Sequence, residues 1–167
     1  MTTRARFDGK RSFKVATLLF AAVVSVSASV CSVPKAFGAM PTATIGDGNV
    51  VKLEVAATPQ EITRGLMYRT SIPEDCGMVF LFHPERPVNF WMYHTLISLD
   101  TCFIRNGKII KICQDVPPCH SEDKDKCPLY PSGGEILVSE VIELKGGYTR
   151  RHGIKEGDSV SFTVPGQ

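Results

Sequence analysis

The dipeptide Asn106-Gly107, set between the runs Leu99–Ile104 and Ile109–Cys113, constrains this chain more than any other feature. Both residues tolerate the positive φ that a two-residue hairpin turn requires, and apolar, β-branched residues flank them. A two-residue loop pairs Phe103 with Ile110 and Thr101 with Ile112, on a face that Leu99 continues. The other face then sets Ile104 against Ile109, Cys102 against Lys111 and Asp100 against Cys113. Leu99, Thr101, Phe103, Ile110 and Ile112 are the expected core. The mixed face, with an acid, a base and two thiols, is expected to meet solvent or wall a pocket.

The rest of the mature chain reads as short strands separated by turn residues. Val50 to Val55 alternates as a first strand. Thr58-Pro59-Gln60-Glu61 then carries a capping box with proline at the first helical position, so a short helix should follow to about Arg69. Gly65 within it costs roughly 1 kcal/mol against alanine and suggests that another backbone approaches closely. Met78 to Phe82 is a continuous apolar run, a buried strand; Phe90 to Tyr93, which holds the single Trp, is another. Pro117 to Gly134 is a loop, Glu140 to Leu144 a strand, and Ser159 to Val164 a closing strand. The expected fold is mainly β, an antiparallel β-sandwich or barrel (jelly-roll-like) with one short helix after the first strand. No internal repeat is visible.

Charge separates this body from what precedes it. Six of the 19 Lys and Arg lie in the first 38 residues, with one acid, Asp8. The remainder has 13 basic and 16 acidic side chains, a formal charge of −3, which gives no electrostatic footprint for a phosphate backbone. The basic segment ending at Lys14, the uncharged apolar run Val15–Val30 and the small residues near Gly38-Ala39 read as a secretory signal peptide. The expected organisation is a signal peptide over residues 1–39, a tether over 40–49 and a single domain over 50–167. An exported, periplasmic or extracellular location follows, with membrane association only through an uncleaved N-terminus.

Export changes how the cysteines read. If Cys31 leaves with the signal, Cys76, Cys102, Cys113, Cys119 and Cys127 remain, and five cannot all pair within one chain. Cys119 and Cys127 close a short loop and should form a disulfide; Cys102 with Cys113 is a plausible second bridge that leaves Cys76 free and buried, and pairing of Cys76 with either of them is the alternative. Zinc held by Cys113, Cys119, His120 and Cys127 is the rival, though the usual close cysteine spacing is missing. No metal or cofactor is expected.

Three segments together carry a resemblance: Gly65-Leu66-Met67-Tyr68-Arg69, Gly77-Met78-Val79-Phe80, and Phe90-Trp91-Met92-Tyr93-His94-Thr95 running into Leu99-Asp100. Cys119, Cys127-Pro128-Leu129-Tyr130, Glu140-Val141, Gly153-Ile154 and Gly157-Asp158 extend it. In this order and spacing the chain resembles the prokaryotic domain of unknown function, family 192, over roughly residues 50–164. The resemblance implies a compact mainly-β domain, often secreted or membrane-tethered, and no established activity. Cys76, Cys102, Cys113 and Ser98, where the family commonly has proline, depart from its usual pattern.

Asp100 is the sharpest site candidate, because a carboxylate between apolar residues is rarely buried unless paired. Arg69 is its expected partner, either as a structural ion pair or as the polar end of a ligand pocket walled by Trp91 and Met92, with Thr95 beside them. His94 with Asp100 and Arg69 would suit a hydrolase or lyase, yet no Ser or Cys stands in a nucleophile motif. The favoured expectation is a non-catalytic β-domain that binds a small molecule or an envelope protein, and not nucleic acid. A thiol or metal role for the cysteines is the third possibility.

Overall fold

The computed structural model describes residues 40–164, so the expected signal peptide and Cys31 lie outside the described residues. Its strands are β1 (Thr42–Ile45), β2 (Asn49–Ala56), β3 (Cys76–Arg86), β4 (Asn89–Trp91), β5 (Leu99–Arg105), β6 (Lys108–Val116), β7 (Leu129–Pro131), β8 (Val138–Lys145) and β9 (Val160–Thr163). Two short helices, α1 (Pro59–Arg64) and α2 (Tyr148–Arg151), interrupt them. Seven strands form one sheet in the order β6-β5-β8-β3-β2-β1-β9, and β4 with β7 makes a separate two-stranded ribbon.

The large sheet is mixed, which corrects the expectation of a purely antiparallel sandwich. β2 and β3 run parallel, with Leu53 opposite Gly77 and Val55 opposite Val79. A parallel pair needs a crossover, and the segment through α1 supplies it. The sheet curls into a half-barrel whose edge strands meet at a bridge between Lys108 and Ser159, where Val160 N–H also donates to Gly107 O at 2.8 Å. Thr42–Ile45, expected within a tether, is a strand paired with both β2 and β9.

Curling gives the sheet two buried faces. Inside lie Val51, Leu53, Val79, Ile104, Ile142 and Leu144. Outside, Phe80, Phe82, Phe103, Leu99 and Val141 pack beneath Leu66 of the α1 crossover and Met92 beyond the ribbon. Every residue of β5 from Leu99 to Ile104 is consequently buried, so neither of its faces could meet solvent as expected.

The hairpin turn forms as the dipeptide requires, with φ of 51° at Asn106 and 66° at Gly107, and with Arg105 opposite Lys108 and Ile104 opposite Ile109. The register then shifts. Phe103 pairs with Lys111, Cys102 with Ile112 and Thr101 with Cys113, because an irregularity between Phe103 and Ile104 adds a residue to β6. Cys102 therefore points into the half-barrel, whereas Cys113 packs against the outer cluster. The expected Cys102–Cys113 bridge does not form, and both thiols are free. Cys76, expected to be free, is disulfide-bonded.

α1 is built as its sequence dictates: Thr58 caps Glu61 N–H, and the Glu61 carboxylate returns to the Thr58 N–H at 3.0 Å. The helix stops at Arg64 because Gly65 takes φ +43°, and a Cβ there would sit 3.2 Å from Phe80 Cζ. The close neighbour of Gly65 is thus an aromatic side chain of the sheet, where a backbone had been expected. That contact seats α1 on the outer face of β3.

Candidate functional site

Asp100 lies on the inward side of β5 and is fully buried. Its carboxylate accepts from Asp115 N at 2.6 Å, Gly147 N at 2.8 Å, Thr149 N at 2.7 Å and Thr149 Oγ1 at 2.6 Å. The Gly147 and Thr149 bonds satisfy otherwise orphaned amides at the start of α2, and the Asp115 bond ties β6 to the same carboxylate, a structural task. Arg69, its expected partner, instead makes a bidentate ion pair with Glu54, one arm at 2.7 Å, and this hydrogen bonding raises the guanidinium pKa. Glu54 stands on the outer face, in the row with Met78 of β3, and Asp100 is turned away from that face. His94 stacks between Tyr68, at a centroid distance of 4.9 Å, and Tyr93, at 3.8 Å. The hydrogen bonds and ion pairs of Asp100 and Arg69 go to different partners, and His94 joins neither. The triad expected for a hydrolase or lyase is not assembled.

Cys119 and Cys127 form the expected disulfide. Bonded to each other, they offer no thiolate to zinc, and no group of three or more potential metal ligands gathers among the described residues. The bridge ties the loop to the ribbon: Tyr93 pairs with Cys119, and Cys119 N donates to Met92 O at 3.3 Å. Burial pushes the Cys102 thiol pKa well up, which removes it as a nucleophile.

A cavity of about 340 Å³ lies between the outer face of the sheet, the α1 segment and the β4 strand. Its apolar lining comes from Ile62 and Leu66, from Phe80 and Phe82, and from Phe90 and Trp91. Phe90 holds this wall together edge-on, 4.9 Å from Phe80 and 5.9 Å from Phe103 between centroids. Of the residues expected to bind a ligand, Trp91 and Thr95 line the cavity; Arg69, Met92 and Asp100 do not. Met92 is 2% exposed and belongs to the packing beneath.

The decisive side chain is one that the sequence reading passed over. Glu143 stands on β8 between Met78 of β3 and Thr101 of β5, in the middle of the sheet, and its side chain lines the cavity. It is 5% exposed, and among the described residues no hydrogen bond or ion pair reaches its carboxyl. Desolvation pushes its pKa to about 8, so the group is protonated at neutral pH. Two exposed guanidiniums, Arg64 and Arg86, line the same cavity, and neither has a carboxylate partner among the described residues. Arg86 sits 5.1 Å over the Phe82 ring. The signal for Glu143 was present: it interrupts the apolar run Val141-Ile142-Glu143-Leu144, as Asp100 interrupts its own.

With this geometry in hand, comparison with known proteins places the chain. The model of domain-of-unknown-function family 192, described as an uncharacterised ACR, matches residues 42–162. The chain belongs to this family. No curated protein matches it. A solved protein of unknown function from Novosphingobium aromaticivorans is 34% identical, with a TM-score of 0.63 over 73% of this chain and 83% of that one. A Sinorhizobium meliloti protein described as a candidate transcription regulator is 30% identical, with a TM-score of 0.64 over 77% of this chain and 98% of that one. Family 192 thus gives the fold and leaves the chemistry to be read from the cavity. No helix among the described residues is long and apolar enough to cross a membrane.

Proposed function

We propose that this family 192 domain is an exported small-molecule binding protein whose site is the cavity between α1, β3, β4 and β8. Glu143 carries the reading. Its carboxyl has no protein partner among the described residues and is nearly all withdrawn from solvent, and the space it opens onto is the cavity, so the hydrogen bond that the protein does not supply is open to a ligand. The cavity volume, its aromatic wall and its polar side chains, the nearly buried Thr95 and Glu143 together with Thr63, Asn89 and the guanidiniums of Arg64 and Arg86, fit a ligand site. No nucleophile with a base lines this cavity, so the reading is binding and not turnover. The basic and apolar N-terminal segment and the Cys119–Cys127 bridge support export. Nucleic-acid binding is not part of the reading, because the body of the chain carries a formal charge of −3.

The test fills the cavity. Ile62→Trp places an indole in the space while leaving Glu143 and the sheet intact. In a thermal-shift screen of small amphiphiles, compounds that raise the wild-type melting temperature should lose that effect in Ile62→Trp and in Trp91→Ala. Equal responses of wild type and both variants to every compound would defeat the proposal.

A further inference from the structure

The arrangement of polar groups around the cavity narrows what can enter it. Glu143 is at the buried end, on the central strand of the sheet, with Thr95, itself 5% exposed, as the second buried polar side chain. Thr95 Oγ1 makes only a long 3.5 Å bond to Tyr93 O, so it retains capacity toward the cavity. The exposed end carries Arg64, from the last turn of α1, and Arg86, from the end of β3. Ile62, Leu66, Phe80, Phe82, Phe90 and Trp91 supply the apolar walls, and Thr63 and Asn89 add polar side chains to the lining. Neither guanidinium folds back onto Glu143, although both line the same space.

Resting on the binding reading above, we infer that the ligand is an elongated, singly negative amphiphile that enters with a hydrogen-bond acceptor first. Its carbonyl or ether oxygen meets Glu143, its apolar body lies against Phe80, Phe82, Phe90 and Trp91, and its anionic end remains at Arg64 and Arg86. A neutral carboxylic acid in an apolar site is a hydrogen-bond donor, and it suits an acceptor that brings no charge of its own. Two guanidiniums at the entrance suit a carboxylate or phosphate end, and they oppose a cationic one. The groups around Glu143 from each packed element are uncharged or already balanced. Met78 and Thr101 flank it on the neighbouring strands, and Arg69 with Glu54 is paired one strand beyond Met78. Arg64 and Arg86 remain as the charges facing the cavity.

Four probes of equal length separate the contributions: octanoate, the oxo-octanoate whose ketone adjoins the terminal methyl, neutral octanone, and the octanoate with a terminal amine. Affinities measured by calorimetry on the folded wild-type domain should rank the oxo-octanoate first, about tenfold tighter than octanoate. Glu143→Leu should abolish that preference, whereas Glu143→Gln, which keeps a donor, should retain it. Loss of both guanidiniums in Arg64→Ala with Arg86→Ala should remove the advantage of oxo-octanoate over octanone. Raising the pH past about 8 should weaken the oxo-octanoate in wild type and leave Glu143→Gln unchanged. Tightest binding by the amine, or equal binding of octanone and oxo-octanoate, overturns the inferred ligand class while the cavity stands as a site. Binding of every probe at equal strength to wild type and Ile62→Trp overturns the cavity itself, and the ligand class with it.

Discussion

Asp100 and Glu143 sit on adjacent strands of one sheet, both buried and both embedded in apolar runs, yet the fold treats them in opposite ways. Asp100 turns inward and receives four hydrogen bonds, three from backbone amides and one from Thr149. Glu143 turns outward, into a cavity, and receives none among the described residues. Burial alone therefore says little about what an acid does. An acid whose lone pairs are filled by the protein is part of the scaffold, and one left unfilled beside open space is available to something else.

The most severe way to test this contrast is Asp100→Ala. It leaves three amides and a hydroxyl buried without acceptors, and should lower unfolding stability by about 3–5 kcal/mol in urea melts. A loss no larger than that of a surface mutation would erase the structural role. Removing the bridge by Cys119→Ser with Cys127→Ser should cost about 2–3 kcal/mol, since the closed loop is short. It also releases the ribbon that bears Trp91, so indole fluorescence should shift together with the stability. A stable variant with an unmoved spectrum would show that the ribbon is held by packing alone.

Glu143→Gln should act in the opposite sense to Asp100→Ala. The wild-type carboxyl has a folded pKa of about 8 against a reference value of 4.5. Between those values the folded state keeps a proton that the unfolded state has lost. Stability should therefore fall as pH rises across that window and level off above it. Glu143→Gln removes the slope and should be more stable than wild type above pH 8, by roughly 1–2 kcal/mol. Parallel stability profiles for the two proteins would mean that Glu143 is satisfied in solution. Arg69→Ala should cost about 1 kcal/mol, because its pair with Glu54 is only partly buried, with side-chain exposures of 31% and 12%. It should leave ligand binding unchanged, which separates this ion pair from the cavity charges.

Much of the local structure was legible. The capping box announced the start of α1, the Asn106-Gly107 dipeptide fixed its turn, and the spacing of Cys119 and Cys127 announced a bridge. The site was legible only in part. Trp91 and Thr95 were chosen and do line the cavity, whereas Asp100 was chosen on a sound signal that Glu143 shares. Nothing local distinguishes those two acids. The distinction depends on which face of a two-faced sheet each one occupies and on what covers that face.

What the sequence determined by itself was short-range: turn geometry, helix capping, strand propensity and membership in family 192 through ordered motifs. Register beyond the turn was decided by tertiary structure. The irregularity beside Phe103 moves Cys113 to the outer face, and a side-chain period of two turns a shift of one residue into a change of face. Tertiary structure also made the β2–β3 pair parallel, because the α1 crossover packs its Gly65 against Phe80. That same packing holds α1 over the outer face of the sheet. The cavity and the solitary carboxyl of Glu143 exist only because the crossover lies there, and sequence neighbours carry no record of a contact between segments so far apart along the chain.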